Sequence, residues 1–115
     1  MELSKYIDSN YNNIAIFTNF DGLEYSDLRR RNLSLEKEGY TGNWVIAQNR
    51  NIEKIVLYVR EDGVNKIYVA DYTYRENIEG RRYRVYFKNL KFVENTISNW
   101  KDFANTQSPI RYIDK

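Results

Sequence analysis

The 115-residue chain carries 18 lysine and arginine residues against 16 aspartate and glutamate residues, a net charge of +2, and 42% of its residues are hydrophobic. That balance predicts a single folded domain spanning 1–115 and argues against wholesale disorder. There is no cysteine and no histidine, which excludes disulfides, thiolate zinc sites, a cysteine nucleophile, the usual general base and the commonest metal ligand. No apolar run approaches the roughly 18 residues of a membrane span and the N-terminus has no signal-peptide pattern, so the expectation is a soluble cytoplasmic protein without a membrane partner.

Aromatic residues make up 16% of the chain, with 11 tyrosines, 5 phenylalanines and 2 tryptophans. Asparagine (14) is abundant and alanine (4) scarce. Tyrosine, isoleucine and valine suit pleated, half-buried strands, whereas low alanine and high asparagine disfavour helices.

In chain order, Leu3, Tyr6 and Ile7 share one helical face and predict a short helix over 2–8. Ile14, Ile16, Thr18 and Phe20 alternate with Ala15, Phe17 and Asn19, predicting a buried strand that ends at the Asp21-Gly22 turn. Ser26 is a good N-cap ahead of Asp27, and Ser34 a second one ahead of Leu35, so 26–38 reads as one or two helical pieces. Gly42 opens a strand over 43–47.

The clearest organisation lies in 52–93. Ile55, Leu57 and Val59 alternate with Val56, Tyr58 and Arg60, and Asp62-Gly63 is a strong hairpin turn. Ile67, Val69 and Asp71 fall on one side of the return strand, with Tyr68, Ala70, Tyr72 and Tyr74 on the other. After a turn at 77–80, Tyr83, Val85 and Phe87 alternate with Arg82, Arg84, Tyr86 and Lys88. These three strands predict an antiparallel meander. Thr96 caps a final helix over 97–105 whose Ile97, Trp100 and Phe103 pack on the sheet. Pro109 blocks its continuation, and Ile110, Tyr112 and Ile113 resume alternation. The predicted fold is α+β: a strongly curved antiparallel sheet or small β-barrel with two or three short helices. Ile55, Leu57, Val59, Ile67, Val69, Tyr83, Val85, Phe87, Trp100 and Phe103 are its expected core.

The five glycines are scattered singly, so the clustered glycines of phosphate-binding loops are missing. Without histidine the usual hydrolase triad cannot be built. The carboxylate pairs, such as Glu36 with Glu38 and Glu76 with Glu79, fall on expected surfaces and turns. Asp71, the one acid inside a strand pattern, fits an edge position or a partner to a neighbouring arginine better than a metal ligand. No catalytic residue, metal or cofactor is therefore expected, and a binding role is the leading reading over a histidine-free RNase.

Basic residues concentrate at Arg75, Arg81, Arg82, Arg84, Lys88 and Lys91, and 80–93 contains no acid. Arg82, Arg84 and Lys88 share a strand face with Tyr86, which interleaves cation and ring as a groove for phosphate and base requires. Arg29, Arg30 and Arg31 make a second basic patch, which a helix would fan over about 200°.

Several segments together resemble the PUA-like superfamily, particularly its EVE-type members. They are Gly42-Asn43-Trp44-Val45-Ile46, the meander 55–59, 66–74 and 82–87, Trp100 with Phe103, and Arg111-Tyr112-Ile113. The resemblance covers about 42–113. It implies a small curved barrel that reads nucleic acid, with EVE-type members holding a modified base in an aromatic pocket beside modification-dependent restriction systems. A flipped base needs aromatic faces and polar edge contacts. Trp44, Tyr72, Tyr74 and Tyr86 are candidates for the faces, and Asp71, Asn43 and Asn49 for the edge. The functional expectation is a non-catalytic nucleic-acid-binding domain, with DNA as its partner and Arg75 joining Arg82, Arg84, Tyr86 and Lys88 at the interface. The alternative is a protein-interaction module, such as a phage-encoded inhibitor of a host defence enzyme.

Overall fold

A computed structural model describes residues 1–19 and 32–115. The expected Asp21-Gly22 turn, the helix start at Ser26 and Asp27, and the basic run Arg29, Arg30 and Arg31 lie outside the described residues. Among the described residues six strands form one sheet: β1 (Asn13–Asn19), β2 (Gly39–Val45), β3 (Lys54–Glu61), β4 (Val64–Glu79), β5 (Arg82–Thr96) and β6 (Ile110–Ile113). Their order is β2-β5-β4-β3-β1-β6, and the sheet curls into a half-barrel. A 3-10 helix (Glu2–Tyr6) precedes β1, and a helix α1 (Trp100–Ala104) lies between β5 and β6.

The sheet is mixed, which corrects the antiparallel expectation. β1 runs parallel to β3, from Asn13 opposite Lys54 to Asn19 opposite Arg60, while the other pairings are antiparallel. Parallel pairs are found where both faces of the sheet are covered, and both strands meet that condition. Ile14, Ile16, Ile55, Leu57 and Val59 face the inside of the curl, where Trp44, Ile46, Ala70, Val85 and Phe87 join them. Ala15, Val56 and Tyr58 face outward, where Leu3 of the 3-10 helix and Trp100, Phe103 and Ala104 of α1 cover them.

Local chemistry fixes the meander. Asp62 (φ 54°) and Gly63 (φ 74°) are both left-handed, as the two-residue type I′ turn between Glu61 and Val64 requires. β4 and β5 have 16 and 15 residues, far longer than the usual strand. Their pairing shifts register at four places. Each such bulge bends and further twists the ribbon, which turns two long strands into the wall of a curl. A fifth shift lies in β2, where Gly42 and Asn43 stand between the Thr41–Val85 and Trp44–Tyr83 pairs. In a regular strand Thr41 and Trp44 would face opposite ways. The bulge buries both, and the Trp44 indole N–H donates to Thr41 Oγ1 at 3.0 Å.

Among the described residues, helix is shorter than expected. Residues 32–38 carry turns and bends, with Leu33 bridging Thr41 across the edge of β2. Ser34 Oγ accepts the Glu36 N–H within a local turn and does not start a helix. Thr96 still belongs to β5, so the cap of α1 is Asn99, whose Oδ1 accepts the Asp102 N–H at 2.9 Å. Ile97 lies before the helix and is fully exposed, off the packing face assigned to it. Of the ten expected core residues, eight are buried; Val69 and Tyr83 are half-buried at the margins of the two clusters.

Tyr58 ties the outer layer together. Its ring meets Phe17, Trp100 and Phe103 at centroid distances of 5.4, 5.5 and 5.1 Å. Its hydroxyl donates to the Ser98 carbonyl at 2.7 Å, and burial pushes its pKa up to about 12. Phe87→Ala should cost about 3–5 kcal/mol, as for other fully buried large aromatics, whereas Tyr58→Phe should cost about 1 kcal/mol, the net worth of one hydrogen bond. Urea unfolding of both variants checks this; a Phe87→Ala loss below about 1 kcal/mol would place that ring outside the core.

Candidate nucleic-acid interface

Among the described residues, helices cover the outer face of the sheet only over β1, β3 and the near half of β4. Farther along, β2, β5 and β4 lie side by side, with Tyr40 opposite Tyr86 and Tyr86 opposite Tyr74. These three tyrosines form a row across three strands. Tyr74 and Tyr86 stack at 4.4 Å with an interplanar angle of 4°, and Tyr40 and Tyr86 meet at 5.8 Å. The Arg84 guanidinium lies 4.6 Å from the Tyr40 centroid, within the range of a cation–π contact. Tyr74 is 55% exposed, and crowding by its neighbours with the adjacent Tyr86 raises its hydroxyl pKa. A depression of about 420 Å3 runs beside the row, with Lys88, Glu36 and Glu38 on its rim.

Arg82, Arg84, Tyr86 and Lys88 therefore share the outer face, as period-two alternation predicts. The acids across the ladder temper that face: Glu79 pairs in register with Arg82, Glu76 with Arg84 and Asp71 with Lys88. Arg75 is placed differently. Opposite buried Val85, it turns to the inner side and donates to the carbonyls of Ala47, Gln48 and Arg50 at 3.3, 2.9 and 2.8 Å. It pins the loop after β2 and stands apart from the tyrosine row.

The four residues considered for a base pocket are not brought together. Trp44 is 5% exposed inside the curl, and Tyr72 packs against the same inner cluster. Tyr74 stands on the outer face. Tyr72 and Tyr74 would share a face in a regular strand, but Thr73 is an extra residue between the Tyr72–Phe87 and Tyr74–Tyr86 pairs, and the bulge sends them to opposite sides. Asp71, also on the outer face, accepts from Lys54 Nζ at 2.6 Å and from the Asn89 side chain at 2.8 Å. Asn43 lines an opening between β2 and β6, and Asn49 is exposed in the loop after β2. The residue that sequence reasoning missed is Tyr40. Its place in the row follows from its register with Tyr86, which no spacing in the sequence displays.

No protein-family model, curated protein or solved structure matches the chain.

The Asp71 ion pair sets an electrostatic test of the frame beneath this face. Hydrogen bonds from Lys54, then Asn89, hold the Asp71 carboxyl below the ordinary aspartate range. A carboxyl with a depressed folded pKa contributes stability that is present above the unfolded value of about 4 and is lost as pH falls through the folded value. Asp71→Asn should lower the urea midpoint at neutral pH and flatten the decline of stability below about pH 4. Identical acid limbs for the variant and the parent protein would show that this pair contributes nothing.

Proposed function

We propose that this chain is a non-catalytic nucleic-acid-binding domain that holds a single-stranded segment along the outer face of β2, β5 and β4. The row Tyr40, Tyr86 and Tyr74 carries the reading. It is an aromatic platform on a sheet, exposed at Tyr74, with Arg84 and Lys88 beside it. Bases splayed from a single strand stack on such rings whatever their sequence, and cations along the same groove meet the phosphates. Tyr74 is the exposed end of the platform and takes the base; Tyr86 backs it. Recognition of a modified base in a pocket of Trp44, Tyr72 and Asp71 is not part of the proposal, because Trp44 and Tyr72 lie inside the curl and Asp71 outside it.

A second reading, a protein-interaction module, is favoured by one observation. Glu79, Glu76 and Asp71 stand across the ladder from Arg82, Arg84 and Lys88. A balanced face rich in tyrosine and arginine is also the composition of a protein interface.

Titration of labelled oligo-dT and oligo-U at several salt concentrations separates the two readings. Tyr74→Ala should cost about 1–3 kcal/mol of binding with the salt slope unchanged. Arg84→Ala and Lys88→Ala should each weaken binding and reduce the slope by about 0.7, one phosphate contact on a single strand. Unchanged affinity and slope in all three variants would leave the protein-interaction reading in possession of this face.

A further inference from the structure

Farther along the ribbon from the tyrosine row, the outer face holds a second hollow, of about 250 Å3. Val69 and the Tyr6 ring line it together with the polar side chains of Lys54, Asp71, Asn89 and Lys91. It lies at the Asn13 end of β1. The chain leaves β1 at Asn19, the other end of that strand, and is next described at Asn32, whose carbonyl accepts the Gly42 N–H beside β2 at 2.9 Å. Neither point belongs to the lining, and Asn89 and Lys91 within it are exposed.

A bulge assembles the hollow. Asn89 and Leu90 of β5 stand between the Val69–Lys91 and Asp71–Lys88 pairs, opposite Ala70 alone. Asn89 takes the left-handed conformation that suits such a bulge, with φ 56°. In a regular strand Lys88 and Lys91 would face opposite ways. Here Lys91 lines the hollow, while Lys88 lines the depression beside the tyrosine row. The Lys88–Asp71 pair thus stands between the two recesses. Asp71 and Tyr74 lie about 10 Å apart along β4, close enough for neighbouring nucleotides of one strand to occupy both.

The polar groups of the hollow make a selective pattern. Lys54 Nζ donates to one Asp71 carboxylate oxygen at 2.6 Å, and the Asn89 side chain donates to the other at 2.8 Å. An ionised carboxylate has about four acceptor sites, so each oxygen can take a second donor. Asp71 therefore offers two adjacent acceptors, held in place from behind. Lys91 has no hydrogen bond or ion pair among the described residues. Asp8, the other acid of the lining, accepts the Asn10 N–H within its own turn. Among the common bases, guanine carries two adjacent donors, N1–H and the N2 amino group, beside an acceptor, O6. Thymine and uracil carry one donor between two carbonyls, and adenine and cytosine carry one amino group beside an acceptor.

We propose that this hollow reads guanine in the bound strand. Asp71 accepts from N1–H and from the N2 amino group, Lys91 donates to O6, and the base rests on Val69. The site rests on the single-strand reading above, and it adds a base preference that stacking on the tyrosine row does not supply.

The probes are labelled oligo-dT and copies of it in which one central thymine is replaced by guanine, adenine, cytosine, hypoxanthine or N1-methylguanine. Guanine should tighten binding about tenfold, equivalent to roughly 1.4 kcal/mol, while adenine and cytosine stay near thymine. The salt slope should not change, because bonds to a base release no counterion. Hypoxanthine, which lacks the N2 amino group, and N1-methylguanine, which lacks N1–H, should each lose most of the gain. Asp71→Asn turns one acceptor into a donor and should level guanine with thymine. The altered bases test the same contacts in the parent protein, whatever that variant does to folding. The proposal is overturned, with the single-strand reading left standing, if guanine gains nothing over thymine, if N1-methylguanine keeps the whole gain, or if folded Asp71→Asn keeps it. Failure of every oligomer to bind overturns both.

Discussion

Ile55, Val56, Leu57, Tyr58 and Val59 are five consecutive β3 residues with almost no solvent exposure, so the rest of the chain must cover this strand on both faces. The inner face is covered by curling the sheet until Trp44, Val85 and Phe87 arrive from β2 and β5. The outer face is covered by two helical turns, each five residues long. Helices that short do not persist alone. They are held by packing in the Tyr58 cluster and by polar ties to β5 and the segment after it. Glu2 accepts from the hydroxyls of Thr96 and Ser98, and Glu94 from Lys5 and Tyr6.

This covering stops partway along the ribbon. β4 and β5 run past the end of β3, and beyond residue 71 the partner of β4 is β5 alone. The inner side of that extension is still closed by Trp44, Tyr72 and Tyr83. Among the described residues no helix lies above its outer side, and there Tyr40, Tyr86 and Tyr74 pack on one another. Packed rings are stiff and lose little freedom when a further flat surface settles on them, which suits them to binding. Strand length carries this part of the ribbon past the two described helices, and there the tyrosines shield the sheet.

Period-two alternation over 55–59 and 83–87 and the Asp62-Gly63 turn made the meander and its inner face legible in the sequence. Direction was not legible: alternation in β1 reads the same whether its neighbour runs parallel or antiparallel, and only the burial of both faces of β1 and β3 distinguishes the two. Bulges were invisible for a related reason. One extra residue reverses every later side chain, so Thr73 separates Tyr72 from Tyr74, and Ile78 sets which acids stand across from Arg82 and Arg84. The helix over 97–105 was drawn too long because Ile97, Trp100 and Phe103 satisfy helical spacing while Thr96 is still in the ladder. Arg75 was grouped with the outer cations by proximity in sequence, although parity alone separates it from Tyr74.

The bulge at Gly42 and Asn43 connects the two surfaces. It lets Thr41 and Trp44 both face inward, and so completes the inner core at the edge of the sheet. It presses Gly42 against the outer ribbon: a Cβ there would lie 3.1 Å from Arg84 Cα and 3.3 Å from its Cβ. The close fit leaves Arg84 beside Tyr40, with its Nε buried. On the same turn of chain Asn43 lines the seam between β2 and β6, and its carbonyl accepts from Arg82. Arg82 and Arg84 thus take different roles from adjacent positions on one strand face. Arg84 is drawn over the tyrosines, where its cation stiffens a stacking surface. Arg82 is drawn toward the seam, where it is the one charged side chain among the described residues of the lining. A single extra residue in an edge strand therefore divides a run of basic side chains between the tyrosine row and the seam between β2 and β6.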